Sequence, residues 1–280
     1  MRQLLFTLVL AMMTTGVASA QENITDGELS AQDLHSVGYI CYYFEDYVEA
    51  ERYFRLAAEQ GLVESQCYLG YCLMRREEYA EAVEWLRIAA EQGYAEAQFK
   101  LGVCYKYGYG VDQNDTEAVK WFHAAAEQGV VEAQYDLGRY YYSGLGVEQN
   151  YEEAIKWFHM AAEQESVEAM YGLGSCYAKI GDDAETLKWF HAAAELGYVD
   201  AQYISGYMDY YLAKYEEAIR WFCMAAEQGD GASNNYLGLC YYFGLGVERD
   251  YAEAIRLFRV AAEQGCDEAA NNLRKFYRGL

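Results

Sequence analysis

The chain has 280 residues, with 21 Lys and Arg against 44 Asp and Glu, a formal net charge of −23 and no Pro. A surface this acidic repels nucleic acid and anionic lipid, which argues against both as partners. Basic peptides, cationic proteins and plain solubility remain compatible with it.

The first 20 residues carry Arg2, an apolar run from Leu4 to Met13 and the small-residue ending Ala18-Ser19-Ala20. This pattern predicts a secretory signal cleaved before Gln21, and hence a protein exported to a periplasm or the extracellular space. Cleavage removes one base and no acid, taking the net charge from −23 to −24. No later run approaches the roughly 20 apolar residues of a membrane span, so no stable membrane insertion is expected. Residues 21–30 form a short acidic lead-in, and the sequons Asn23-Ile24-Thr25 and Asn114-Asp115-Thr116 matter only in a host that glycosylates exported proteins.

From residue 31 the chain repeats. Alignment on the recurring Ala-Glu-Gln-Gly gives seven units, 31–62, 63–94, 95–130, 131–166, 167–198, 199–230 and 231–266, followed by a half unit at 267–280. In unit 131–166 the first half places Ala133, Leu137, Gly138 and Tyr141 on one helical face. The second half places Ala154, Ile155, Trp157, Phe158, Ala161 and Ala162 on a wide apolar stripe. Matching second helices end in Gly at 61, 93, 129, 229 and 265, whereas Glu165 holds that place in unit 131–166 and predicts a strained helix end. The longer units insert Gly108-Tyr109-Gly110-Val111, Gly144-Leu145-Gly146-Val147 and Gly244-Leu245-Gly246-Val247 between their helices. The shorter ones need a tighter turn, as at Arg76-Glu77-Glu78. Ala269, Leu273 and Phe276, with Lys275 and Arg278 near the end, predict a C-terminal capping helix.

The recurring A-x-A-x-x-x-L-G-x-x-Y, the G-x-G-V turn and A-x-x-W-F-x-x-A-A-E-Q-G together resemble the Sel-1-like repeat family, a relative of the tetratricopeptide repeats. The resemblance covers residues 31–280. It implies an all-α fold, a right-handed α/α solenoid (superhelix) of about seven hairpins plus the capping helix. It also implies scaffolding and partner binding, with no shared catalytic residues, and the polar ends of such a solenoid suit a monomer.

Eight Cys in an exported chain raise the question of disulfides. One column of the repeat reads Ile40, Cys72, Cys104, Tyr140, Cys176, Met208 and Cys240, which is a packing column. Equivalent positions in neighbouring hairpins lie about 9 to 10 Å apart, beyond the roughly 7 Å Cα limit of a disulfide. Cys41, Cys67, Cys223 and Cys266 occupy four different positions, unlike the regular pairing of a cysteine-rich subgroup of the resembled family, so free thiols are expected. A second column reads Arg55, Arg87, His123, His159, His191, Cys223 and Arg259. Residues one repeat apart on parallel helices do not converge on one ion, so the column reads as polar and exposed, with no metal site and no cofactor. No metalloprotease, serine-hydrolase or phosphate-loop signature occurs, and acidic pairs such as Glu152-Glu153 and Glu216-Glu217 recur in register at helix starts, where the dipole favours them.

Registering the first helices on the tetratricopeptide pattern places Tyr39, Tyr42, Tyr43, Tyr71, Phe99, Tyr107, Tyr135, Tyr142, Tyr171, Tyr203, Tyr207, Tyr210, Tyr211, Tyr242 and Phe243 on the concave surface. Glu64, Glu96, Glu132, Glu168 and Asp200 would line one edge of that groove. Rings beside carboxylates suit a protein or peptide with basic and apolar side chains. The expected function is therefore an exported interaction scaffold, with binding of glycans stacked on the rings as the alternative. Catalysis, such as the β-lactam hydrolysis with which some Sel-1-like proteins have been labelled, is the third reading, and it lacks a nucleophile paired with a base.

Overall fold

The computed structural model describes residues 29–278. The export signal, the sequon at Asn23 and most of the acidic lead-in lie outside the described residues. Fifteen α-helices are the regular elements among the described residues. They are α1 (Ala31–Tyr43), α2 (Tyr47–Glu59), α3 (Val63–Arg75), α4 (Tyr79–Glu91), α5 (Ala95–Tyr107), α6 (Asp115–Glu127), α7 (Val131–Ser143) and α8 (Tyr151–Ala162). They continue as α9 (Val167–Ile180), α10 (Asp183–Glu195), α11 (Val199–Tyr211), α12 (Tyr215–Glu227), α13 (Gly231–Phe243), α14 (Tyr251–Glu263) and the cap α15 (Asp267–Arg278). The chain packs as two compact units. One comprises the helices up to Tyr140 with Gly144–Glu148, and the other Tyr141–Ser143 with everything from Gln149.

Within a hairpin, the eighth residue of the first helix is glycine because an aromatic or Leu side chain of the second helix lies on it. A Cβ at Gly38 would sit 2.9 Å from the ring of Phe54, and one at Gly206 would sit 2.7 Å from that of Phe222. The same contact joins Gly102 to Phe122, Gly174 to Phe190 and Gly238 to Phe258, with Leu86 taking the ring's place on Gly70. Those Phe side chains are buried, so these five hairpins close on a ring seated in a notch.

Buried glutamines join successive hairpins. Gln98 donates from Nε2 to the carbonyl of Ala90 at 3.1 Å and accepts on Oε1 from Gln128 at 2.8 Å. Gln66 with Gln92 and Gln202 with Gln228 repeat the arrangement. Gln92, Gln128 and Gln228 of the recurring Ala-Glu-Gln-Gly thus satisfy a buried amide of their own hairpins. In unit 167–198 both partners change together, to Met170 and Leu196, which keeps that site free of an unpaired amide.

The two turn types differ as the spacing predicts. The long units end their first helices on left-handed Gly108, Gly144 and Gly244. Their second glycine meets the preceding second helix: a Cβ at Gly110 would overlap the Tyr79 carbonyl, and one at Gly246 would lie 2.8 Å from Tyr215 Cβ. Short units turn through one left-handed residue, which is Gly181 in one case but Glu45, Glu77 and Ala213 in the others. Glu165 also has a positive φ of 66°, and its helix stops at Ala162, so the strained end expected there is present.

Candidate binding surface

The tyrosine surface is built upward from the glycine notch. Gly38 admits Phe54, and the ring of Tyr68 from the next hairpin stacks on Phe54 with centroids 5.2 Å apart. Tyr39 and Tyr42 then meet Tyr68 edge-on at 5.6 and 5.7 Å, and Tyr42 also meets Tyr47 at 5.4 Å. Five repeats later the construction recurs. Tyr236 stacks on Phe222 at 5.1 Å, Tyr207 and Tyr210 meet Tyr236 edge-on at 5.7 and 5.4 Å, and Tyr210 meets Tyr215 at 5.6 Å. Each platform therefore has a buried ring as foundation, one tyrosine as hub and two edge-on neighbours.

The outermost rings are solvent-facing: Tyr39 is 47% and Tyr43 74% exposed in the first platform, and Tyr207 38% and Tyr211 66% in the second. Tyr107 and Phe243 are exposed as well. Tyr42, Tyr71, Phe99, Tyr135, Tyr142, Tyr171, Tyr203, Tyr210 and Tyr242 are half-buried, and several serve the packing between helices. Tyr171 meets Phe190 and Tyr198, Tyr142 meets Tyr151, and Tyr242 meets Tyr251 and Phe276. Fifteen positions that read as one surface thus separate into two exposed platforms, a few outlying rings and packing residues.

The hubs Tyr68 and Tyr236 are absent from that sequence-derived set. Their column reads Ser36, Tyr68, Lys100, Asp136, Gly172, Ile204 and Tyr236. Tyrosine appears there only in the hairpin that follows a Gly-Tyr-x-x-Tyr-Tyr helix end, and this is the signal that would have found them.

Acidic groups border the rings unevenly. Glu64, Glu96, Glu132, Glu168 and Asp200 are all exposed at the starts of first helices. Glu96 accepts a long hydrogen bond from the Tyr71 hydroxyl at 3.5 Å. Burial raises the pKa of Tyr68, and neighbouring groups that include Glu96 push it the same way. Burial likewise raises the pKa of Tyr203, with Asp230 and Glu268 reinforcing it. The hydroxyls of Tyr207 and Tyr211 share a hydrogen bond that raises the pKa of Tyr207. Tyr68, Tyr203 and Tyr207 are therefore neutral phenols at physiological pH. Beside Tyr71 a cation is already seated: Lys100 Nζ lies 5.2 Å from the centroid of Tyr71 and 5.3 Å from that of Phe99.

The histidine and arginine column is exposed at Cys223 and Arg259 and half-buried elsewhere, and several of its members bridge repeats. Arg87 donates to the Tyr105 hydroxyl at 3.0 Å, Arg259 donates to that of Tyr277 at 2.6 Å, and His159 Nε2 lies 3.3 Å from that of Tyr177. In the hairpin of the second platform the partner is a carboxylate. His191 Nε2 lies 3.1 Å from Oδ2 of Asp209, which is 1% exposed. Among the described residues no group of three or more His, Cys, Asp or Glu is arranged to hold a metal. All eight cysteines are unpaired thiols, and burial pushes Cys67, Cys72, Cys176 and Cys240 up to about 12.

A family model described as Sel1 repeat matches residues 31–62, 63–94, 95–130, 131–166, 167–198, 199–230 and 231–266. The chain belongs to the Sel1 repeat family. It is similar to a solved structure of a protective antigen of uropathogenic Escherichia coli that displays an SLR fold, with 32% identity and a TM-score of 0.83. That match covers 91% of this chain and 60% of the antigen, so the chain spans less than two thirds of that relative's length. A Sel1 repeat protein from Oxalobacter formigenes is 31% identical with a TM-score of 0.64, the match covering 71% of this chain and 85% of that one. The C-terminal part of a TPR repeat-containing protein from Cytophaga hutchinsonii, 16% identical with a TM-score of 0.59 over 85% of this chain and 99% of its own, shares the fold alone. No curated protein matches the chain. Sel1 and related helical repeats are commonly protein-interaction scaffolds.

Proposed function

We propose that the chain is an exported interaction protein whose tyrosine-bearing first helices hold a protein or peptide partner presenting Lys or Arg beside apolar side chains. The observation that carries this reading is Lys100, whose ammonium rests between Tyr71 and Phe99 while Glu96 lies within reach of the same tyrosine. The surface already accommodates, from its own chain, the kind of group it would take from a partner. A net charge of −23 adds long-range attraction for a basic partner.

The test immobilises residues 21–280, passes extract of the producing organism or its host over wild type and a Tyr207→Ala, Tyr211→Ala variant, and compares retained proteins by mass spectrometry. Both rings are exposed, so the variant should keep its helical circular dichroism. A retained protein that the variant releases supports the reading. Equal retention, or binding confined to a polysaccharide array, overturns it. Export is tested separately: the secreted or periplasmic form should begin at Gln21, and a full-length cytosolic product would remove that part of the proposal.

A further inference from the structure

We infer that the chain carries two equivalent binding sites for the same short segment, one on each tyrosine platform; this inference rests on the reading that the tyrosine surface binds a partner. The first site consists of Tyr39, Tyr42 and Tyr43 around Tyr68, and the second of Tyr207, Tyr210 and Tyr211 around Tyr236.

The argument begins with sequence. Hairpins 31–62 and 199–230 share Gly-Tyr-x-x-Tyr-Tyr at the same register, Gly38 to Tyr43 and Gly206 to Tyr211, and in both the following hairpin supplies the hub tyrosine. The five hairpins between and after them lack the full set. Packing alone does not demand the set, because the other hairpins close on the same glycine notch with Val103, Ser175 or Leu239 in place of Tyr39 and Tyr207.

The geometry repeats more closely than the residues beneath it. Corresponding edge-on contacts differ by no more than 0.3 Å between the platforms, yet their inward residues change from Val37 and Cys41 to Ser205 and Asp209. The hub contacts are thus independent of the interior and shared by the two platforms, although Arg75 hydrogen-bonds Tyr42 in the first and the rings of Tyr207 and Tyr211 lie 4.7 Å apart in the second.

Charge selects the occupant. At the first platform Glu96 accepts from the Tyr71 hydroxyl at 3.5 Å, while Arg75 hydrogen-bonds Tyr42 and lies 5.5 Å from the centroid of the Tyr47 ring. At the second, the charges of Asp230 and Glu268 act on Tyr203. Glu96 and Glu268 hold the same register, each at the second position of the helix two hairpins on. Lys100 shows the mode of contact, an ammonium over a ring, next to the first platform. The segment that fits carries Arg or Lys next to apolar side chains, with the cation over an exposed ring and the apolar neighbours against the hub.

The probe is acetyl-Leu-Arg-Leu-Arg-amide, titrated calorimetrically into the exported chain at about 0.15 M salt to screen its diffuse charge. Acetyl-Leu-Glu-Leu-Glu-amide serves as control. Saturation at two peptides per chain is expected, falling to one in Tyr39→Ala, Tyr43→Ala, to one in Tyr207→Ala, Tyr211→Ala, and to none when the pairs are combined. One peptide per wild-type chain, lost with a single pair, overturns the duplication and leaves the binding reading standing. A count unmoved by either pair, or no difference between the two peptides, overturns both. Conservative Tyr→Phe versions keep the rings and should restore the count, which separates loss of a site from loss of the hairpin's fold.

Discussion

Hairpins 31–62 and 199–230 present the same rings to solvent and opposite chemistry to the interior. Below the first platform lie Val37 and Cys41, both within an apolar cluster with Leu69, Cys72 and Leu73. Below the second, Ser205 is fully buried, and Asp209 is buried with His191 at 3.1 Å and Lys214 at 4.0 Å. The outward pattern therefore does not depend on the inward one. The glycine notch and the stacked Phe–Tyr pair hold the rings, while the columns one step round the helix are free to differ. The comparison also separates two costs. The first hairpin is held by contacts that add up singly, whereas the second buries a polar side chain, Asp209, against a neighbour from the preceding hairpin.

The sharpest way to break this contrast is His191→Ala. Asp209, 1% exposed, would lose the imidazole 3.1 Å away and keep only Lys214 at 4.0 Å, and leaving a buried polar group short of a partner costs roughly 1 to 3 kcal/mol. Urea unfolding should show that loss in the wild-type background and little of it when Asp209 is already Leu. Equal losses in both backgrounds would mean that His191 matters for its packing against Trp221, whose ring lies 5.2 Å away, and that the two hairpins are not differently built.

The next effect should be common to both hairpins. Gly38→Ala and Gly206→Ala each push a methyl into a Phe ring at under 3 Å, an overpacking expected to cost roughly 1 to 3 kcal/mol. Because that ring carries the hub tyrosine, the near-ultraviolet dichroism of the tyrosines should fall along with the melting temperature. A melting change without a spectral one would show that Phe54 and Phe222 yield without disturbing the platforms.

How much of this was legible before the structure depends on the period of each signal. The helices, the turns and the glycine-tipped ends follow from spacing within one unit, and a strained residue could be named at Glu165 because six sister units supplied the comparison. Exposure was harder to read. Tyr42 and Tyr43 are neighbours in sequence, yet one packs on Tyr47 and Tyr68 and the other is 74% exposed, a difference of 100° around a helix that one misjudged step erases. The hubs and the His191–Asp209 contact link different repeats, so neither partner signals the other within a unit. Reading each column against the next hairpin's columns would have exposed both.

The smallest expected effect sharpens the comparison where the two hairpins agree. Both turn between their helices through one left-handed residue with a side chain, Glu45 at φ 62° and Ala213 at φ 59°. Both sites are exposed, and in both the residue after the turn donates to a first-helix carbonyl, Asp46 to Cys41 and Lys214 to Asp209, at 2.9 Å. A non-glycine residue in this conformation carries a strain of about 1 kcal/mol or more, and glycine relieves it at a smaller cost in unfolded-chain entropy. Glu45→Gly and Ala213→Gly should therefore each stabilise the chain by several tenths of a kcal/mol, and their effects should add, since they lie in separate compact units. Stabilisation at Ala213 without any at Glu45 would show that the glutamate side chain, unlike alanine, contributes to its turn, and the two hairpins would then differ at their tips as well as in their interiors.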